Sequence, residues 1–154
     1  MSKAVFAMMA AGTVVSAYSA YQQGKMQKQL NEYNAQIAEN NAILASQKYE
    51  IDKKDQLRRY RKLVGDQRVS YAKSGVMMEG SAIDIMEESA LSNAWELAKM
   101  KYNADVEKAG YQASATKSRF VGESAYYAGK MKATSTLLTS GTETYQYGKE
   151  NKII

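Results

Sequence analysis

Wound at 100° per residue, Met26, Leu30, Tyr33, Ile37, Leu44 and Ile51 fall within one narrow arc, which Ala38 and Ala45 widen. Leu57, Val64 and Tyr71 continue at seven-residue spacing, offset by one position. The pattern predicts one helix persisting to about Lys73, about 75–90 Å long at 1.5 Å per residue. Asn40 and Asn41 interrupt the arc, and a polar residue in an apolar seam can set register or partner number. A second run is more regular. Tyr102, Val106, Ala109, Ala113, Phe120, Tyr127, Met131 and Leu138 lie within about 40° of one line on an ideal helix. We therefore expect helix seams at Leu30, Ile37, Leu44 and Ile51 on the first run, and at Tyr102, Val106, Phe120, Tyr127, Met131 and Leu138 on the second. Gly110, Gly122 and Gly129 interrupt the second run and mark close contacts or bends. After Ser140-Gly141 periodicity is lost, and residues 141–154 read as a polar tail, loose or partner-bound.

Between the runs stands Ser74-Gly75-Val76-Met77-Met78-Glu79-Gly80-Ser81, the expected hinge. Gly75 suits the left-handed position that closes a helix. Ser81-Ala82-Ile83-Asp84 reads as a capping box with Asp84 in place of the usual Glu. Asp84, Glu87 and Glu88 suit the positive end of the new helix dipole. The hinge residues singled out are Gly75, Gly80, Ser81 and Asp84.

Residues 4–24 carry no charge and are rich in Ala, Gly, Ser and Thr. The apolar core of this segment is near the length of a bilayer span. Gly12, Ser16 and Ala20 form a small-xxx-small series that permits close helix approach. The segment is compatible with a helix buried in an oligomer and released into a membrane, with a constitutive transmembrane helix, and with an ordinary packed terminus; a secretory signal peptide fits less well, since Lys3 alone supplies its charged start and its cleavage site is poor. Its candidate membrane or oligomer contacts are Val5, Phe6, Met8, Met9, Gly12, Val14, Val15, Ser16 and Ala20.

The expected fold is all-α: an extended antiparallel hairpin of two long helices (residues 25–140) with an additional uncharged N-terminal helix (residues 1–24), assembling as an oligomer. Composition strengthens the assembly expectation. The chain has 154 residues, no Pro and only 10 Gly, so it offers few of the loops on which catalytic residues usually sit. It has two Phe and one Trp, and Ala and Tyr carry much of its apolar content. A large private core is not expected, and the missing burial falls to other subunits. Absence of Cys and His removes disulfides, thiolate metal sites and the commonest general base. No nucleophile elbow, P-loop, dinucleotide fingerprint or metal-ligand spacing occurs. We expect no enzyme activity, catalytic residue, cofactor or metal.

The net charge of +5 is concentrated between Lys48 and Lys73, where nine basic residues stand against four acids. From Asp84 to Lys108 six acids stand against three lysines. Folding at the hinge brings the two segments alongside, which favours charge pairing within or between subunits. Arg58, Arg59, Arg61, Lys62 and Arg68 could alternatively face DNA non-specifically through phosphate contacts.

The order of features resembles the small internal virion proteins of short-tailed phages, also called core or ejection proteins. The resemblance rests on an uncharged Ala/Gly-rich start, Tyr33-Asn34-Ala35-Gln36-Ile37-Ala38-Glu39-Asn40-Asn41-Ala42, Arg61-Lys62-Leu63-Val64-Gly65-Asp66-Gln67-Arg68 and Tyr71-Ala72-Lys73-Ser74-Gly75-Val76. It continues through Gly80-Ser81-Ala82-Ile83-Asp84, Tyr102-Asn103-Ala104, Ala128-Gly129-Lys130-Met131 and Thr136-Leu137-Leu138. It covers about residues 4–141. It implies a protein packaged inside the capsid near the portal that leaves with the DNA and rebuilds in the host envelope as part of a conduit. The small member belongs to the outer-membrane end of that conduit, and larger companions carry any peptidoglycan-cleaving activity. The implied partners are further copies of the chain, other internal virion proteins, portal or tail proteins, the host outer membrane and passing double-stranded DNA. A structural portal, neck or tail adaptor that stays in the virion is the alternative.

Overall fold

A computed structural model describes residues 3–75 and 80–150, with the side chains of residues 3–6 and 10 left out of the description. The chain is almost entirely helical: α1 runs Lys3–Ser74 and α2 runs Ser81–Glu150. The break falls where the hinge was expected. Gly75 adopts φ 66° and Gly80 φ 61°, left-handed conformations that cost other L-residues roughly 1–2 kcal/mol. Val76, Met77, Met78 and Glu79 lie outside the described residues.

The cap is shifted by one residue from the expected capping box. The amides of Ile83 and Asp84 donate to the Gly80 carbonyl at 3.0 and 3.3 Å. Gly80 therefore receives the first bond of α2, and Ser81 is already inside the helix. Asp84 stands in the first turn, where it complements the dipole.

Two further boundaries differ. The uncharged segment is not a separate helix; it is the beginning of α1, which continues without a break past Gly24. The expected loose tail is helical to Glu150, with Thr144 and Gly148 buried, and residues 151–154 lie outside the description. Gly24 and Gly141 do not break their helices, because a helix can absorb the roughly 1 kcal/mol cost of an interior glycine where packing or length compensates.

Contacts divide the chain into two units: residues 1–37 with 114–154, and residues 38–113. In the first unit the helix pair is antiparallel, with Lys28 bonded to Glu123 and Glu32 to Arg119. Its inner line on α1 is Ala17, Ala20, Gly24 and Ala35. On α2 it is Ala115, Gly122, Gly129 and Thr144, buried or half-buried. An added Cβ at Gly129 would lie 2.9 Å from the Ala20 carbonyl oxygen and 2.9 Å from Gly24 Cα. One at Gly122 would lie 2.9 Å from Asn31 Cβ. Backbone therefore meets backbone across this pair, and no side chain longer than a methyl separates the helices at those points. Thr144, the buried polar residue, donates its hydroxyl to the Ser140 carbonyl at 2.7 Å, so its burial leaves no orphan donor.

The second unit contains the turn. Its inner line on α1 is Ala38, Ala42 and Ala45, followed by the half-buried Gln56, Tyr60 and Gln67. On α2 it is Ala82, Met86, Ser89, Asn93, Leu97 and Ala104. Side-chain bonds cross it: Gln56 Nε2 donates to Asn93 Oδ1 at 3.2 Å, and Gln67 Nε2 donates to Ser89 Oγ at 3.1 Å. Polar pairs in a small-residue seam select one register over its neighbours. Asn40 and Asn41 were expected to do so; Asn40 is instead exposed and Asn41 half-buried.

The expected seams are the main correction. Leu30, Ile37, Leu44, Ile51, Tyr102, Val106, Phe120, Tyr127, Met131 and Leu138 are all exposed, Leu30 at 59%. They form stripes, but the stripes do not join α1 to α2. Ala and Gly do, because they let two helices approach at the short end of the usual 8–10 Å axis separation, which large side chains would prevent.

Close backbone approach makes the glycines unequal. Gly129→Leu is expected to lower stability by about 2 kcal/mol or more, since backbone cannot yield to the new side chain. Gly110, with open space around its Cβ position, should gain about 0.5–1 kcal/mol as Gly110→Ala. Urea melts followed by far-ultraviolet circular dichroism check both.

Candidate assembly surface

The residues left outside the two pairs form the candidate functional surface. On α2, Leu91, Trp95, Tyr102, Phe120, Tyr127, Met131, Leu138 and Tyr145 are exposed and fall within about 40° of arc. That arc is centred about 180° from the inner Ala/Gly line. On α1, Met26, Leu30, Tyr33, Ile37, Leu44 and Ile51 are exposed along a line about 150° from the inner one. Each helix thus carries two apolar faces on opposite sides. The inner one is made mainly of small residues, joined toward the turn by half-buried Tyr60, Met86 and Leu97, and is covered within the chain. The outer one is made of large residues, and no described residue covers it.

The N-terminal candidates divide. Met8, Met9, Gly12, Val14, Val15 and Ser16 are exposed, and Val5 and Phe6 lie outside the described side chains. Ala20 is buried against Gly129, so its close contact belongs to the helix pair of its own chain. The Gly12-Ser16-Ala20 series is not one contact line: Gly12 has open space around it, while Ser16 Oγ donates back to the Gly12 carbonyl at 2.9 Å. Among the described residues no helix is long and apolar enough to cross a membrane.

Among the described residues the basic segment forms no ion pair with the Asp84–Lys108 segment of its own chain. Among the described residues its ion pairs run along α1, Lys53 to Glu50 at 3.9 Å and Arg58 to Asp55 at 3.6 Å. On the facing segment Lys101 bonds Asp105 at 2.8 Å along α2. Exposed pairs of this kind contribute little. Arg58, Arg59, Arg61, Lys62 and Arg68 are all exposed, but they spread over about half the circumference of the helix. Arg61 and Arg68 share one flank. Arg58 and Lys62 continue the outer stripe of Leu44 and Ile51. Arg59 lines an open groove of about 530 Å³ with Tyr60, Glu88 and Glu96. They do not form a single DNA-facing line.

The first unit holds the stronger electrostatics. Lys28 Nζ donates to Glu123 Oε1 at 2.6 Å and lies 5.3 Å from the ring centre of Tyr126. Lys130 stands 5.5 Å from the same ring, and Tyr21 packs on it with centroids 5.9 Å apart. A ring between two ammonium groups is a cation–π arrangement that orders the helix pair on its exposed flank. The bond to Glu123 holds the Lys28 pKa above its ordinary value. The hydrogen bond to Tyr126 raises that of Tyr21. An apolar groove of about 650 Å³ runs beside these groups, lined by Gly24, Met26, Leu30, Ala128 and Gly129. It is an open trough along two cylinders, with no nucleophile or acid–base pair in it. Among the described residues no group of acids or other ligands could hold a metal ion.

Comparison with known proteins finds no matching family model, no matching curated protein and no matching solved structure.

The Lys28 pair has a testable pH signature. Its stabilisation is complete below the ordinary lysine value, about 10.4, and is lost as pH rises through the higher folded value. Glu123→Gln should therefore melt slightly below the unaltered chain near neutral pH. The gap should close in strongly alkaline buffer and shrink in 1 M salt. A gap that ignores both would show that Glu123 acts through packing.

Proposed function

We propose that this chain is an internal virion protein of a short-tailed phage, packaged in the particle, that helps build a channel across the host envelope for genome delivery. The observation that carries the proposal is that most large apolar side chains lie outside the helix pairs, while the fully buried positions between them are mainly alanine and glycine. Such a chain buries little by itself and needs neighbours to complete it, as a channel wall subunit does. The proline-free helices and the glycine turn support the same reading. So do the residues in which the sequence resembles the ejection-protein family, from the uncharged N-terminus to Thr136-Leu137-Leu138.

A small private core also suits passage through a narrow portal. The chain has little packing to lose on unfolding or extending, and it regains burial when subunits meet again. A transfer between particle and envelope needs a difference in burial between the two states, and the outer stripes supply it. The partners in this reading are further copies, other internal virion proteins, portal or tail proteins and the outer membrane. Lipid contact is assigned to the assembled surface. No cofactor or enzyme activity is part of the proposal.

The deciding experiment compares intact particles with particles triggered to eject onto host envelopes. The chain is expected to leave the particle and appear in the membrane fraction. If it stays with the emptied particle, the chain is a structural portal, neck or tail adaptor. Any contact with passing DNA is assigned to Arg61 and Arg68, the basic pair off the outer stripe. The double variant Arg61→Gln, Arg68→Gln should reduce the salt slope of duplex binding by about 2. An unchanged slope would remove DNA from the partners.

A further inference from the structure

In the second unit the two outer faces are complementary in shape class and in charge. On α2, Leu91, Trp95, Tyr102 and Val106 lie within about 60° of one another, opposite the line of Ala82, Ser89 and Asn93 that meets α1. Trp95 is 77% exposed. Together the four leave on the order of 500 Å² of apolar side chain in water, at the upper end of the patches monomers tolerate. On α1 the outer line begins with Leu44 and Ile51 and continues toward the turn with Arg58 and Lys62, all exposed.

The register of the pair determines what sits level with what. Gln56 bonds Asn93 and Gln67 bonds Ser89, which places Arg58 level with Trp95, and Ile51 level with Tyr102, to within about one helical turn. Within one chain these residues point to opposite sides and cannot meet. In a second copy laid alongside, turn at the same end, they do. Tyr102 then covers Ile51, the Arg58 guanidinium stacks on the Trp95 indole, and Lys62 comes beside Glu87. Charges left unpaired across the turn of one chain are thereby matched between two.

We infer that the outer face of α2 docks on the outer face of α1 of a second copy of this chain. The two faces differ and lie on opposite sides of the pair, so the interface is heterologous. Every copy offers one face to each neighbour, and association continues side by side until a ring closes. Two faces of this size bury about 1,000 Å², near the lower bound for a specific interface. The contact is therefore reversible, and subunits can separate and reassemble. The inference deepens the channel reading and rests on it only in taking a second copy as the partner.

Trp95 is the one tryptophan of the chain and reports on the interface directly. In the full chain, its emission should shift to the blue as concentration rises, in step with mass by sedimentation velocity. Ile51→Glu, on the α1 face, and Tyr102→Glu, on the α2 face, should each weaken association about thirtyfold or more. Both positions are exposed within the chain, and circular dichroism confirms that helicity is kept. Mixed one to one, the two variants should form dimers and nothing larger, because one intact interface joins them and both ends are blocked. Association with unshifted Trp95 emission, or unaffected by either substitution, overturns this interface and leaves a multi-subunit channel possible through another face. A chain that stays monomeric at every concentration also overturns it. The particle experiment above decides the channel reading independently.

Discussion

Helix axes can come close only where side chains are small, and this constraint organises the molecule. At Gly24, Gly122 and Gly129 the backbones are already in contact, with room for nothing larger than hydrogen. Alanine occupies the inner line elsewhere, from Ala17 to Ala45 on α1 and at Ala82 and Ala115 on α2. Filling the inner lines with small residues has a consequence for the rest of the surface. Most of the leucine, isoleucine, tyrosine and tryptophan side chains that would normally form a core are displaced to the opposite faces, where no described residue covers them. Burying one such residue is worth about 1.5–3 kcal/mol, so the stabilisation still to be gained lies between molecules.

The polar groups follow the same division. Amide and hydroxyl pairs, Gln56 with Asn93 and Gln67 with Ser89, sit where the seam of the second unit has no glycine. They contribute direction and register where alanine contributes only proximity. In the first unit, Lys28 with Glu123 and Arg119 with Glu32 flank the seam in place of crossing it. The basic segment before the turn keeps its ion pairs on its own helix, so most of its charge remains available to neighbours. A chain of this kind has its specificity on the inside and its unsatisfied affinity on the outside.

Helical content, the turn at Gly75 and Gly80, and the two stripes of large apolar residues were legible from spacing alone. The direction in which those stripes face was not. Periodicity measures angles around one helix axis, and an ideal stripe reads the same whether it meets its own partner helix or a different molecule. The inner lines are not legible because alanine and glycine carry weak hydropathy signals; Ala35, Ala42 and Ala115 do not stand out from the many exposed alanines. A useful signal was present in Gly24, Gly122 and Gly129, which are costly inside helices and tolerable where backbones touch. The helical tail is illegible in the sequence for a related reason. Thr144 and Gly148 are polar or small, and their burial against the pair could not be inferred from hydropathy.

Residue order alone established two long helices, their turn, the absence of Cys and His and the excess of apolar surface over private core. These follow from local properties: helix propensity, the freedom of glycine at positive φ, and residue counts. Three-dimensional packing established that the small residues face inward and the large ones outward, that the uncharged start and the polar end belong to continuous helices, and that the basic residues divide among separate flanks. Those outcomes depend on which face of each helix is turned toward the other. That rotation is set by how closely two backbones can approach, a property of the pair that neither helix carries singly.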